Sequence, residues 1–153
     1  MVRLKDTDDM LRGVLEGLEC RRYDTKPWVE GPPLKDRRVA IVSTAGLQKR
    51  GDTAFSIGAT DYRVIPGDTG SGDIVMSHVS TNFDRTGFQQ DINVAFPIDR
   101  LRELADEGVI GSVAEFHYSF MGASDPDDMA PKAKELAGLL AKDNVNAVLL
   151  APV

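Results

Sequence analysis

The chain is poor in cysteine, with one thiol, Cys20, in 153 residues. A lone thiol excludes an internal disulfide and a Cys-rich metal site. Cys20 falls near the end of an expected helix, where a partly buried thiol is a plainer reading than a nucleophile. Histidine is nearly as scarce, and the two residues, His78 and His117, show no H-x-x-x-H spacing, so no metal site is expected. Long apolar runs are missing too. No stretch approaches the roughly 18 apolar residues of a membrane span. The opening M-V-R-L-K-D-T-D-D-M holds no apolar core of a signal peptide. Positive charge is also in deficit, with 18 Lys and Arg against 24 Asp and Glu and a net charge of -6. The basic clusters Arg21-Arg22 and Lys35 to Arg38 are short and interrupted. That balance argues against a polyanionic partner. The expectation is a soluble cytoplasmic protein with no nucleic-acid or membrane partner.

What is present fits about one globular domain: 42% hydrophobic and 27% charged residues, ordinary proportions for a packed core. Asp6 to Cys20 reads as an amphipathic helix, with Met10, Leu11, Val14, Leu15 and Leu18 at helical spacing and Asp8 and Asp9 in its first turn. The following Y-D-T-K-P-W-V-E-G-P-P-L is too rich in proline for regular structure, and Trp28 and Leu34 are expected to pin it down. Residues 1–36 are therefore read as a helix and a Pro-rich arm, and 37–153 as an α/β domain.

Within 37–153, five runs read as strands: R-V-A-I-V-S-T-A-G, Y-R-V-I-P, D-I-V-M-S-H-V-S, G-S-V-A-E-F-H-Y-S and N-A-V-L-L-A-P-V. Helices are expected over Pro97 to Glu107, with Gly108 as C-cap, and over Pro131 to Lys142, entered through S-D-P-D-D. This alternation predicts an α/β fold with a mostly parallel sheet and helices on both faces, a Rossmann-like, doubly wound arrangement. Ligands in such sheets bind beyond the carboxyl ends of the strands.

At those ends stand Ser43-Thr44-Ala45-Gly46, a small turn able to offer backbone N–H groups to an anion or carboxylate. It is neither a GxGxxG fingerprint nor a Walker A loop, and G-D-T-G-S-G-D at 67–73 precedes a strand and reads as a plain turn. Each histidine lies near an expected strand exit. Singly, each reads more readily as a hydrogen-bonded structural residue; together in one crevice, structural and proton-exchanging roles stand level. Asp84, Asp91 and Asp99 supply carboxylates to orient a histidine or hold an amino group. Asp84 serves equally well as a helix N-cap, and an N-cap is the favoured reading of Asp99.

The segments V-A-I-V-S-T-A-G, S-H-V-S-T-N-F-D-R, D-I-N-V-A-F-P-I-D-R-L-R-E-L, E-G-V-I-G-S-V-A-E-F-H-Y-S-F-M-G and N-A-V-L-L-A-P-V occur in that order. Together, from about Pro27 to Val153, they resemble the selenoprotein B family of the glycine, sarcosine, betaine and D-proline reductases. The runs F-P-I-D-R-L-R-E-L and H-Y-S-F-M-G carry most of the specificity. Met1 to Lys26 match no pattern.

The resemblance implies an oxidoreductase that reductively cleaves a C–N bond of an amino acid or amine-like substrate with thiol-derived electrons. It implies a selenocysteine or cysteine nucleophile, ionised near neutral pH. In the family this residue follows the strand that here reads V-L-L-A-P-V, so it is expected immediately after Val153, with the chain given being the N-terminal part of a longer domain. No other cofactor is expected within the chain. Partners implied are a pyruvoyl-containing reductase subunit and a thiol electron donor, in a homo- or hetero-oligomer. Residue by residue, Ser43 and Thr44 would form one wall of the substrate pocket, His78, Asp84 and Asp91 a second, and His117, Tyr118 and Ser119 a third. One histidine, unranked, would protonate the departing amine or hold the selenolate, oriented by Asp91. Two other readings stay open: a general thiol or selenol oxidoreductase, and a small-molecule-binding module without chemistry.

Overall fold

The computed structural model describes residues 3–17, 22–79 and 85–153. The chain divides into two compact units, Met1–Glu30 and Gly31–Val153. In the first, helix α1 (Asp9–Glu16) is capped by Asp8, whose carboxylate accepts from Leu11 N. The helix is shorter than the expected Asp6 to Cys20, because Gly17 closes it and Gly13 weakens its middle. Cys20 lies outside the described residues. Trp28 and Leu34, the expected anchors of the arm, are both exposed. In the second unit the arm is tied instead by Arg37, whose Nε donates to Pro32 O at 2.6 Å.

The second unit is built from β1 (Arg38–Ser43), β2 (Leu47–Lys49), β3 (Tyr62–Pro66), β4 (Ile74–Met76), α2 (Thr86–Gln90), α3 (Ile98–Asp106), β5 (Ser112–Val113), β6 (Phe116–Phe120), α4 (Pro126–Lys142) and β7 (Ala147–Ala151). β1 is the central strand, with β5, β6 and β7 all running parallel to it. β5 and β6 succeed one another along the same edge of β1, and β7 occupies the other edge. The expected mostly parallel α/β sheet is therefore present.

Two strands depart from expectation. Y-R-V-I-P does form β3, but antiparallel to β6, with Tyr62 opposite Phe120. Parallel pairing needs a long crossover, and the stretch from β1 to β3 holds no helix to build one. D-I-V-M-S-H-V-S contracts to β4, which pairs antiparallel with β2 in a separate two-stranded sheet. His78 therefore follows a small ribbon and not a strand of the main sheet.

Side-chain alternation along the strands divides the core. Val39, Ile41 and Ile65 pack with Phe96, Ile98 and Leu101 on the α3 face. Tyr118, Phe120 and Leu136 form the α4 cluster, with Val42, Tyr62, Leu139 and Leu140 against it. One helix thus covers each face.

The helix ends follow local chemistry. Gly108 has φ +71 just beyond α3, and Val109 N returns to Leu104 O at 2.9 Å, which satisfies the last carbonyls. Pro97 holds the N-cap position of α3, so Asp99 lies in its first turn and does not cap it. Asp99 N instead donates to the Asn93 side chain at 3.0 Å. α4 begins at Pro126, ahead of the expected Pro131, because Asp125 caps it by accepting from Asp127 N and Pro126 suits the first turn.

β7 was expected to be buried. Val148, Leu149 and Leu150 are exposed, Leu150 by 70%. Alternation places Leu150 and Val148 toward the α4 side and Leu149 toward the α3 side, so neither helix reaches this edge. Among the described residues, β7 pairs with β1 and no other strand.

Candidate active-site crevice

Three parallel strands deliver the chain to one end of the sheet. Beyond β1, Thr44 N donates to Ala151 O at 3.1 Å and Gly46 N to Phe120 O at 2.8 Å. Thr44 therefore reaches toward β7 and Gly46 toward β6. Two close approaches here require glycine. A Cβ on Gly46, which has φ +64, would lie 2.8 Å from His78 Cα, and one on Gly122, at φ +89, would lie 2.4 Å from Thr44 O.

Ser43 and Ser119 sit opposite each other in register, both fully buried. The Ser43 hydroxyl donates to Ala95 O at 3.0 Å and accepts from Ala45 N at 3.2 Å. The Ser119 hydroxyl accepts from Leu47 N at 2.9 Å and donates to Phe120 O at 3.2 Å. Both hydroxyls are thus engaged with backbone groups, fastening the loops that leave β1.

His117 is fully buried and repairs an interruption in the sheet. Between β5 and β6 the parallel ladder with β1 breaks, and Ile41 N donates to His117 Nδ1 at 2.9 Å in place of a carbonyl. The Phe96 ring meets the imidazole edge-on at 5.7 Å. Burial pushes its pKa down to about 4, with the nearby Arg102 and Arg38 guanidiniums adding to the effect and Asp143 opposing it. The imidazole is neutral at physiological pH. With Nδ1 accepting, the proton resides on Nε2, which has no hydrogen-bond partner.

The backbone outside this break is held by one carboxylate. Asp143, just past α4, pairs with Arg38 and accepts from Glu115 N at 2.8 Å and Phe116 N at 3.3 Å. Its burial raises the pKa, but the Arg38 and backbone hydrogen bonds outweigh this and leave it lowered. Arg38 Nε also donates to Asp143 O at 2.7 Å. No sequence motif marks this pair; only the fold brings residues 105 positions apart together.

The remaining expected site residues separate. Tyr118 points to the opposite face from His117 and Ser119, into the α4 cluster, with its ring edge-on to Tyr62 at 5.7 Å. His78 is buried with its backbone against Gly46, and Arg85 donates to His78 O at 2.9 Å. Asp91 is exposed, and its carboxylate accepts from Asn93 N and Nδ2 at 2.9 and 2.8 Å, not from His117. Those two bonds lower its pKa. Asp91 borders an open cleft of about 600 Å³ together with Arg50, Met76, Arg85, Phe88 and Asn93. Asp84 lies outside the described residues. No group of three His, Cys, Asp or Glu residues able to hold a metal occurs among the described residues. Nor is any helix among them long and apolar enough to cross a membrane.

Thr44 has a different set of contacts from the serines. Its Oγ1 accepts from Val153 N at 2.9 Å and donates to Val153 O at 3.3 Å. Side chain and main chain of one residue thus grip the end of β7.

The chain is similar to known proteins along most of its length. The family described as glycine/sarcosine/betaine reductase selenoprotein B (GRDB) matches residues 22–153. The chain is 37% identical over 145 residues to the D-proline reductase subunit gamma of Acetoanaerobium sticklandii, covering 90% of this chain and 59% of that protein. It is 34% identical over 128 residues to the sarcosine reductase complex component B subunit beta of Peptoclostridium acidaminophilum, covering 78% and 29%. Against the glycine reductase complex component B subunit gamma of Symbiobacterium thermophilum it is 30% identical over 131 residues, covering 78% and 30%. It thus spans about three-fifths of the first relative and under a third of the other two. No solved structure matches the chain. A match running from the Pro-rich arm through all seven strands among the described residues is decisive for kinship: the chain belongs to the glycine/sarcosine/betaine reductase selenoprotein B family.

Proposed function

We propose that the chain forms part of an oxidoreductase that reduces an amino acid or amine-like substrate, cleaving a C–N bond with thiol-derived electrons. The observation that carries this reading is the convergence of the β1, β6 and β7 exits at Thr44, Gly122 and Val153 within a chain matched to reductase subunits. A selenocysteine or cysteine beyond β7 would supply an ionised chalcogen that bonds to the substrate α-carbon as the C–N bond breaks and the amine leaves protonated. A thiol would then attack the chalcogen, releasing the α-carbon as a protonated product. A second thiol would reduce the resulting chalcogen–sulfur bond, two thiols ending as a disulfide. Two helices on opposite faces of a mostly parallel sheet support a doubly wound, Rossmann-like domain for this chemistry. The relatives are subunits and components of reductase complexes, which supports assembly with other subunits; in this proposal one of them bears a pyruvoyl group and the complex is cytoplasmic.

The chain's own residues take distinct parts in this reading. Ser43 and Ser119 hold the crevice walls through backbone groups. His117, neutral and bonded to Ile41 N, keeps β1 and β6 together beneath the crevice, where it gives no proton at neutral pH. His78, packed against the Gly46 turn, is the histidine left to exchange a proton with the departing amine. Asp91 keeps a carboxylate at the neighbouring cleft for a cationic amine.

The test uses the full-length protein. Thiol-dependent reduction of D-proline, glycine, sarcosine and betaine is measured with and without the pyruvoyl-bearing subunit, then repeated with the chalcogen residue after β7 replaced by serine. The replacement should abolish turnover; turnover that survives it overturns the reading.

A further inference from the structure

The end of β7 departs from the ordinary ladder. The regular β1–β7 bonds run as far as Thr44 N to Ala151 O. Val153 N, the next N–H directed at β1 in this parallel register, leaves the ladder for the Thr44 side chain; Pro152 between them carries its missing N–H on the outer edge. Val153 is nevertheless fixed, because the Thr44 hydroxyl both accepts from Val153 N at 2.9 Å and donates to Val153 O at 3.3 Å. A hydroxyl can do both at one atom. The Val153 side chain is packed against the α3-face core. The proline ring, the threonine hydroxyl and this contact together define the direction in which the backbone leaves the sheet. Thr44 in turn is backed by Gly122, where any Cβ would strike Thr44 O at 2.4 Å.

We infer that Thr44 is a positioning residue: it acts through the Val153 peptide, without touching substrate, to aim the reactive chalcogen that the proposed function places after β7. This replaces the expectation of Thr44 as a substrate contact, since its hydroxyl is already engaged, and it rests on the proposed function. Gly122 is the backstop that lets Thr44 sit close enough. Threonine suits the task because its branched Cβ restricts χ1, so the hydroxyl is presented in few orientations.

The experiment compares full-length wild type with Thr44→Val, Thr44→Ser and Gly122→Ala. Thr44→Val keeps the shape and removes the hydroxyl, and amide hydrogen exchange at Val153 should accelerate about tenfold, as for one lost hydrogen bond. In the same variant kcat should fall by about 10²-fold with KM unchanged, the cost of misaiming a reacting group by roughly 1 Å. Alkylation of the chalcogen by iodoacetamide should shift in its pH profile. Thr44→Ser should restore exchange, kcat and profile, whereas a merely structural role would leave the kcat-to-KM split and the alkylation profile unmoved. Gly122→Ala displaces Thr44 without removing its hydroxyl and should reproduce the kcat loss, which covers the case in which Thr44→Val folds poorly. Unchanged Val153 exchange in Thr44→Val overturns the inference. So does accelerated exchange with unchanged kcat, and then the proposed function still stands. Absence of thiol-dependent turnover in the wild type overturns the proposed function and this inference with it.

Discussion

Acid should weaken the second unit through His117 before most carboxylates are protonated. The imidazole sits in the sheet as an acceptor for Ile41 N, and charging it puts a proton on Nδ1 where that N–H already points. Its pKa falls from 6.5 in a solvated chain to about 4 in the folded one. The folded state therefore binds fewer protons than the unfolded state between those values. The stabilisation is fully present above pH 6.5 and is lost as pH falls toward 4. The gap sets a ceiling of roughly 3 kcal/mol, of which about 2–3 kcal/mol is gone by pH 4.5. Against a total stability of about 5–15 kcal/mol for a domain, that is a large fraction. The reference is His117→Asn, which keeps a side-chain acceptor and does not titrate. Urea unfolding of both proteins across this pH range should show the wild type losing its advantage by that amount as pH drops. Parallel curves for the two proteins would refute the assignment of a buried neutral imidazole, as would a His117 titration near 6.5 by NMR.

Three further outcomes follow from the packing. Asp143→Ala removes the acceptor of Glu115 N and Phe116 N and strands Arg38, so it should lower stability by about 2–4 kcal/mol, read as a fall in the urea midpoint. Leu150→Lys, on the bare edge strand, should leave stability within about 0.5 kcal/mol and reduce self-association of the isolated chain in sedimentation velocity. Tyr62, whose pKa is raised to about 12 by burial and by its hydrogen bond to Glu135, should remain protonated at pH 11 by ultraviolet difference absorbance, and Glu135→Gln should bring its ionisation down.

The architecture was legible where periodicity and punctuation agree. R-V-A-I-V-S announces a buried strand, Gly108 a helix end, and S-D-P-D-D a capped start. Strand direction was not, because Y-R-V-I-P carries the same apolar pattern whether it runs parallel or antiparallel. D-I-V-M-S-H-V-S was read too long because its apolar half serves a two-stranded ribbon, while Ser77 and His78 leave that ribbon to meet Gly46. In the crevice, residue types were visible but their partners were not. His117 and Tyr118 are adjacent in sequence and face opposite helices, and no composition rule says which of them meets a broken ladder. Thr44 looked like a ligand contact because a free hydroxyl and one engaged with residue 153 are identical in one dimension. Arg38 and Asp143 were ordinary surface charges until the fold joined them.

The bare outer strand has a consequence for how molecules of this chain meet one another. The net charge of -6 keeps copies apart at long range, but residues 144–153 contribute no charge to it. Repulsion between whole molecules is screened beyond about 8–10 Å at ordinary salt. Inside that distance, two β7 edges present backbone groups that no strand among the described residues pairs, and exposed valine and leucine with no charged side chain in residues 144–153 to turn them away. Colloidal stability of the isolated chain is therefore governed by ten neutral residues, and raising the salt should drive it toward strand-to-strand assembly rather than protect it.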